Sequence, residues 1–575
     1  SDWLVLGPHP SAAGEPLDAR LHRLGWRRVD EAPAVWVSAR HPLPARRLGA
    51  GLLLGRYVGA PPEPLADRPA EAWAAALMSA GWGLWVALLP SPTGVTAVRD
   101  PSGALDAFVW RRGSVWIAAG DACEGLDDLL PHDARIDLDR VALMLRHAAT
   151  VSGAAAIVPI EAVPPGGGVA LTPEGTVRRF QVWTPAAAAG RRADPASLSE
   201  TVDTAVATVL KPHGRVLGEV SGGFDSAVVA TSAAGQGLGD RVPTWLNFHA
   251  VEPEADERAW ARAVADKAGL RLSEHPKTPK PLTRAALERL AQSLRPALQG
   301  LDVEYDAGVA ERLAATGATG LLTGQGGDAV FFQFGTPAVV RDRVRRLGLR
   351  GLDPRYLHRI ARWTRVPVWR LLEAAARDRL GRPQRRNPDA DPSPPAEVHP
   401  WLEDLDAVPP ARRGQIRQLV NAQVFHGDCL RRRAAELLHP LLTQPVMEAG
   451  LGIPADVLVE GGRDRDLARR RFADRLPEAV LSRRGKGELS TYYGQVVRLT
   501  LPLANDLLID GALVSAGLVD PEALSADLDP AHLIADGAYN TVLIRLVLEL
   551  WLRRWRARLA ARGQPLFEPG QDAAV

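Results

Sequence analysis

The chain has 575 residues, 46% hydrophobic and 24% charged, and a formal net charge of +2 from 69 basic and 67 acidic residues. That length points to two domains, the near-neutral balance gives no global reason for a nucleic-acid partner, and no apolar run is long enough to span a bilayer. The cysteines, Cys123 and Cys429, form no CxxC pair, which excludes a zinc ribbon or thioredoxin-like motif and fits a reducing, cytoplasmic setting, and the opening Ser1-Asp2-Trp3 lacks the basic-then-apolar pattern of a secretory signal.

In chain order, short apolar segments at 83–89, 95–98, 107–110 and 115–118, separated by Pro, Gly, Ser and Asp, predict antiparallel strands joined by tight turns. A further hairpin is expected from Val169 to the region of Trp183. The Ala/Gly/Arg-rich stretch 186–193 reads as a linker, giving domains 1–190 and 191–575. Beyond it the rhythm alternates: strand 216–220, helix from Ala227, strand 244–248, helix 255–268, strand 270–273, helices 285–294 and 307–315, strand 320–323. Such alternation predicts a parallel sheet with crossover helices. After Asp328 the chain reads as mostly helical, with a loop at 388–400. The Arg-rich runs 341–350 and 553–562 read as solvated helix faces, and 543–559 as a packing helix.

Between the first strand and helix of this second part lies Ser221-Gly222-Gly223-Phe224-Asp225-Ser226. Glycines let backbone approach phosphate oxygens, a helix N-terminus offers unpaired N–H groups, and Ser221 and Ser226 add hydroxyls. No GxxxxGK[ST] pattern occurs, so this is not a Walker loop. A second glycine-rich turn, Gly324-Gln325-Gly326-Gly327-Asp328, follows another predicted strand. In an open parallel sheet both turns face one crevice outside the strand ends. There Asp225 and Asp328 could hold Mg2+ beside a triphosphate, because hard cations take carboxylate and phosphate oxygens. From the residues alone, Phe248 suits plain core, Arg465 and Arg469 suit helix-surface salt bridges, and Lys486 suits surface charge.

SGGFDS, TGQGGD and the run GGRDRDLARRRFADRLPEAVLSRRGKGE, spread over 216–488, together resemble the asparagine synthetase superfamily. The resemblance implies an α/β fold: an adenine nucleotide alpha hydrolase-like synthetase domain with a parallel sheet and a helical extension, preceded by a degenerate glutaminase-like (Ntn-type) α+β domain. It implies adenylation of a carboxylate by ATP and acyl transfer to an amine, with AMP and pyrophosphate released. It also implies that Lys486 faces charge developing on the reacting groups, that Arg465 and Arg469 hold pyrophosphate, and that adenine lies near Phe248 and Gly324.

Glutamine-hydrolysing members begin with a catalytic cysteine, whereas the cysteine nearest this N-terminus is Cys123, so ammonia from glutamine is not the expected nitrogen source. At Gln325 beta-lactam synthetases carry tyrosine and asparagine synthetases usually glutamate, which puts their base-assisted steps in doubt. GQGGDAVFFQ and His439-Pro440-Leu441-Leu442-Thr443-Gln444-Pro445 resemble lasso peptide cyclases. That implies a macrolactam formed between a precursor peptide's N-terminal amine and an Asp or Glu side chain, with a leader-binding protein and a leader peptidase as partners. An N-terminal amine with a pKa near roughly 8 keeps a free-base fraction at neutral pH, so no strong base is needed. Alternatives are a small-molecule amide or beta-lactam synthetase, or a non-catalytic peptide-binding scaffold. Trp363, Trp369, Trp401, Trp551 and Trp555 are the expected candidates for lining a peptide cavity.

Overall fold

The computed structural model describes residues 3–7, 14–31, 34–38, 43–65, 67–91, 94–122, 125–172, 176–250, 252, 256–380, 395–485, 490–531, 533 and 539–561. Cys123, Lys486 and 388–394 of the expected loop lie outside these residues.

Alternation of apolar side chains builds two antiparallel sheets in the first part of the chain. In one, Glu161–Ala162, Phe108–Arg112, Val115–Ala119, Trp3–Gly7, Ala34–Ser38 and Trp26–Glu31 lie side by side. In the other, the order is Val177–Gln181, Gly167–Leu171, Val95–Arg99, Gly81–Pro90, Gly51–Gly59 and Ala45–Leu48. Their inner faces meet through Val5, Val35, Leu52, Leu54, Val86, Leu88 and Val109. Leu53, Trp85 and Ala87 point the other way, against Trp73 and Leu77 of the helix Ala70–Ala80 and onward into the core of the second part. This period of two is what a sheet covered on both faces requires. The stretch 186–193 is not an open linker, because it begins with the helix Pro185–Ala189, capped by the Thr184 hydroxyl and buried through Ala188.

The second part is organised around five parallel strands: β1 (Val216–Glu219), β2 (Thr244–Ala250), β3 (Leu272–Lys277), β4 (Gly320–Leu322) and β5 (Glu436–Leu438), in the order β3-β2-β1-β4-β5. Among the described residues the chain beyond Asp328 is mostly helical, as expected, and β5 is the exception; three residues are too few to show periodicity. Helix α1 (Phe224–Gly235) packs with Val216 and Val220 on one face of the sheet, together with α2 (Arg258–Ala268). On the other face α3 (Val303–Thr316) places Val309 and Leu313 against Leu217, Leu246 and Leu321. The order reverses between β1 and β4, the switch point where such sheets open a crevice at their strand ends.

Three helices, α4 (Ala338–Leu347), α5 (Pro354–Thr364) and α6 (Val368–Arg379), form a lobe after β4, and α7 (Asp466–Arg471) returns to the crevice. The run 341–350 is not simply solvated. Arg341 and Arg345 pair with Asp378 at 2.6 and 2.5 Å, and Arg346 pairs with Asp456 at 2.6 Å. The last helix, α8 (Tyr539–Ala560), is apolar as expected and crosses back to the first part. Trp551 and Trp555 donate to the Ser293 carbonyl at 3.0 and 3.2 Å, and Arg558, buried, pairs with Asp127 at 2.5 Å. Its arginines are therefore partly structural.

The sheet's core tolerates no bulk at Gly218 of β1, where an added Cβ would lie 2.3 Å from the Trp245 ring on β2. Gly218→Ala is expected to destabilise the protein by about 1–3 kcal/mol through overpacking. Gly214→Ala, with nothing within 4 Å, is expected to stay within about 0.5 kcal/mol. Equal urea midpoints for the two variants would contradict this packing.

Candidate active site

β1 ends one residue before Val220, and the chain turns through Ser221, Gly222 and Gly223 into α1. The helix starts at Phe224, ahead of the apolar run read from Ala227, and Asp225 and Ser226 lie in its first turn, at the start of the helix as expected. Ser226 Oγ donates to the Gly223 carbonyl at 3.1 Å and receives the Ser221 N–H at 3.2 Å, and the Gly223 N–H donates to Ser221 Oγ at 3.2 Å. These bonds curl the loop around its own serines. Gly222, at φ 94°, adopts a left-handed conformation that side chains disfavour, and a Cβ there would lie 2.5 Å from the Glu257 carbonyl.

β4 feeds the second loop, Thr323 to Asp328, across the switch point. A Cβ at Gly324 would sit 2.5 Å from the Ser226 nitrogen, and one at Gly327 would sit 2.4 Å from the Asp225 carboxyl carbon. Gly324 lets the two loops touch backbone to backbone, and Gly327 leaves room for the Asp225 side chain. That contact brings Asp225 beside Asp328.

Between the two carboxylates lies Arg465. Its Nε and Nη2 donate to Asp225 Oδ1 and Oδ2 at 2.9 and 2.7 Å, and Nη2 also reaches Asp328 Oδ1. Nη1 donates to Asp464 Oδ2 at 2.9 Å, which also receives Arg469 Nη2 at 2.9 Å. Burial pushes the Asp225 carboxyl up to about 6 and Asp328 adds to the rise, whereas Arg465 opposes both. The Gln333 amide, with its nitrogen toward Asp328, donates to Oδ2 at 3.1 Å. Arg465 holds this place at a backbone cost: its φ is 53°, and its N–H donates to the carbonyl of Phe332, whose φ is 66°. Two side-chain-bearing residues in the left-handed region, bonded to each other, mark strain that the surrounding packing must hold.

A cavity of about 590 Å³ opens over this cluster. It is lined by Ser221, Gly223, Asp225, Ser226, Phe248, Gly324, Gln325, Asp328, Arg465 and Arg469, so the structure brings almost every expected site residue to one place. Gly222 supports the loop from beneath, and Lys486 lies outside the described residues, although its neighbour Gly485 is on the cavity wall. Phe248 stands edge to face with Tyr305 at 5.2 Å, with the Arg312 guanidinium 5.4 Å from its ring centre. Arg469 is occupied locally: besides Asp464, it donates to the Val480 and Leu481 carbonyls at 2.9 and 3.0 Å, which ties down the segment leading to 486. Of the five tryptophans, Trp363 lines the cavity, Trp369 is exposed, and Trp401, Trp551 and Trp555 are buried core.

On the wall, Arg483, Glu219, Tyr305, Lys277 and Asp302 escaped the sequence reading. Arg483 donates to the Gly222 carbonyl at 3.2 Å and pairs with Glu257, linking the GKGE segment to the first loop. Asp256, its neighbour, is held down to about 2 by the Arg258 guanidinium and only serves the start of α2. At the far end of the cavity Tyr305 donates to Glu219, and Lys277 pairs with Asp302 at 2.6 Å with its ammonium 4.5 Å from the Tyr492 ring centre. Burial raises the Glu219 carboxyl above its ordinary range. A lone acid in the apolar strand VLGEV was the available signal for it.

No curated protein matches the chain. The family model described as asparagine synthase matches residues 197–553, well over half of the sequence, and includes both glycine loops, Arg465 and the helical lobe. With that span matched around this crevice, the chain belongs to the asparagine synthase family of ATP-dependent amide-bond ligases.

Proposed function

We propose that the chain is a peptide macrolactam synthetase of the lasso cyclase type. ATP adenylates an Asp or Glu side-chain carboxylate of a precursor peptide, and the peptide's N-terminal amine then closes an isopeptide ring. The observation that carries this reading is the contact between the two segments most like that subtype. The Thr323 hydroxyl and His439 Nδ1 lie 2.7 Å apart, and Leu442 fills the space a Cβ would need at Gly326. HPLLTQP therefore buttresses the GQGGD turn from behind, and burial holds His439 down to about 3, a neutral support rather than a base. The four-layer arrangement of helices and sheets in residues 1–190 supports treating that part as a glutaminase-like domain, with the synthetase domain over 191–575.

Each step can be written from this chain's residues. The Ser221–Ser226 loop receives the phosphates, and adenine sits by Phe248 and Gly324. A substrate carboxylate oxygen attacks the α-phosphorus, the bond to the β-phosphate's bridging oxygen breaks, and pyrophosphate departs. The amine attacks the acyl carbon, the acyl–oxygen bond to AMP breaks, and the ammonium proton passes to solvent. Asp225 and Asp328 converge on one guanidinium nitrogen, and with Asp464 they outnumber Arg465 and Arg469 by one charge, so the cluster suits a hard cation. Among the described residues no group of three metal-ligating side chains is present, so Mg2+ would be held by these two carboxylates together with nucleotide oxygens, and when bound would withdraw charge from the phosphates. Arg465 positions both carboxylates, Arg469 positions the segment bearing Lys486, and Lys486 stabilises the charge on the transferring group. Gln325 lines the cavity without acting as a base.

Incubation with Mg-ATP and a leaderless core peptide is expected to give a product lighter by one water and stoichiometric AMP, read by mass spectrometry. Asp225→Ala and Asp328→Ala should abolish both, and Lys486→Ala should slow them by about 10²–10³. AMP without peptide dehydration would instead favour a small-molecule amide synthetase, and neither product would favour a scaffold.

A second expectation concerns pH. Because Asp225 is raised to about 6, its charged form is lost as pH falls through that value and regained above it. The kcat/KM for Mg-ATP, which reports the free enzyme, should therefore drop between neutral pH and about 6, well above the range of an ordinary carboxylate. A value flat down to pH 5 would refute a requirement for ionised Asp225.

A further inference from the structure

The helical lobe α4–α6 is strongly basic, whereas the rest of the molecule is net acidic. Residues 341–380 contain 12 arginines and four acidic residues, a net +8 within a chain whose total is +2. Arg341, Arg343, Arg345, Arg346 and Arg377 are held by Asp378, Asp456 and Glu373. The other seven, Arg355, Arg362 and Arg370 among them, are exposed and make no ion pair among the described residues. A patch of this sign, with these seven arginines free of ion pairs among the described residues, attracts an anionic partner.

The same lobe exposes apolar surface. Of the large hydrophobic residues exposed among the described ones, Leu347, Leu349, Trp369, Leu372 and Leu380 belong to it, with Trp369 60% and Leu380 66% accessible. On α6 they are ordered. Leu371 and Ala375 face the core, while Trp369, Leu372, Ala376 and Leu380 follow at intervals of three, four and four and are all exposed. That spacing is a second apolar stripe at helical period on the solvent side, where a surface helix is normally polar.

We propose that the outer face of α6 docks an acidic, amphipathic helical segment of the peptide substrate, outside the part that reacts; this rests on the reading of the substrate as a peptide. Four apolar positions along one helix, with arginines on either side, complement a helix of the converse pattern, apolar on one face and Glu- or Asp-rich on its flanks. The location favours a substrate segment. Trp363 of α5 lines the catalytic cavity, and Trp369 follows six residues later, at most about 20 Å away at full extension. A chain leaving the cavity past Trp363 therefore has the stripe within reach. RNA would use the arginines but leave the stripe uncovered, and a bilayer would call for a broader apolar face than one helix-wide row.

The test uses the full chain and a fluorescently labelled synthetic peptide of Glu and Leu at helical spacing, followed by anisotropy. Binding is expected to weaken at least tenfold in the double variant Trp369→Ser, Leu372→Ser and to fall with added salt, while ATP binding is unchanged. A peptide with Lys in place of Glu should not bind. Equal binding by the double variant, binding of the Lys peptide, or tighter binding of single-stranded RNA or phosphatidylserine vesicles through the same residues would overturn the proposal. Fusing the acidic segment to a core peptide separates this from the reading beneath it. Dehydration with no gain in KM from the segment overturns the docking face and leaves the peptide reading intact. Binding on the stripe with no dehydration of any fused peptide supports the face and overturns the peptide reading.

Discussion

Two carboxylates set side by side in a crevice can both stay charged only beside a cation, and Arg465 meets that constraint here. Left unpaired, Asp225 would be forced toward its neutral form by burial and by Asp328. The bidentate hold of Arg465 keeps both acids aimed at one point, and Asp464 fixes the other side of the guanidinium. The cost is two left-handed residues, Arg465 and Phe332. Their mutual hydrogen bond couples the loop before α7 to the chain that leaves the GQGGD turn. Each element of the crevice is thus positioned by another, and none is stable alone in this geometry.

The scaffold explains why that geometry can persist. A parallel sheet with the order β3-β2-β1-β4-β5 puts two loops on either side of the switch point; Gly324 lets them close to backbone contact and Gly327 makes room for the Asp225 carboxylate. α8 then ties the end of the chain to the first part through Arg558 and Asp127, and Trp183 reaches from that part to Glu448 at 2.7 Å. The cavity wall draws on β1, β2, α1, α3, α5 and the loops between them rather than on one loop, as a site that must hold a carboxylate and an amine at attack distance requires.

The parts legible in the sequence were those with local signals. Both glycine loops, the strands feeding them and the acids at their ends follow from turn chemistry and hydrophobic alternation, and the structure brings them together. What failed was non-local. β5 is three residues long and owes its state to β4. The strands Trp3–Gly7, Ala34–Ser38 and Gly51–Gly59 went unread because they are buried on both faces and lack clear alternation. The start of α1 at Phe224 carries no side-chain cap that could announce it, since its N-cap residue is Gly223. Arg465 and Arg469 looked alike as arginines on one helix, yet one bridges the acids and the other braces the segment before 486, a difference set by partners roughly 240 and 11 residues away. The tryptophans were indistinguishable for the same reason, since only packing separates Trp363 on the cavity from Trp369 in solvent.

The central claim is that the crevice over Asp225, Asp328 and Arg465 joins a peptide carboxylate to the α-phosphate of ATP before an amide is made. A core peptide labelled with heavy oxygen in its acceptor side-chain carboxylate tests this directly when the released nucleotide is weighed by mass spectrometry. The account predicts AMP carrying one labelled oxygen, with unlabelled pyrophosphate. Label in inorganic phosphate alongside ADP, or unlabelled AMP from a dehydrated peptide, would contradict it.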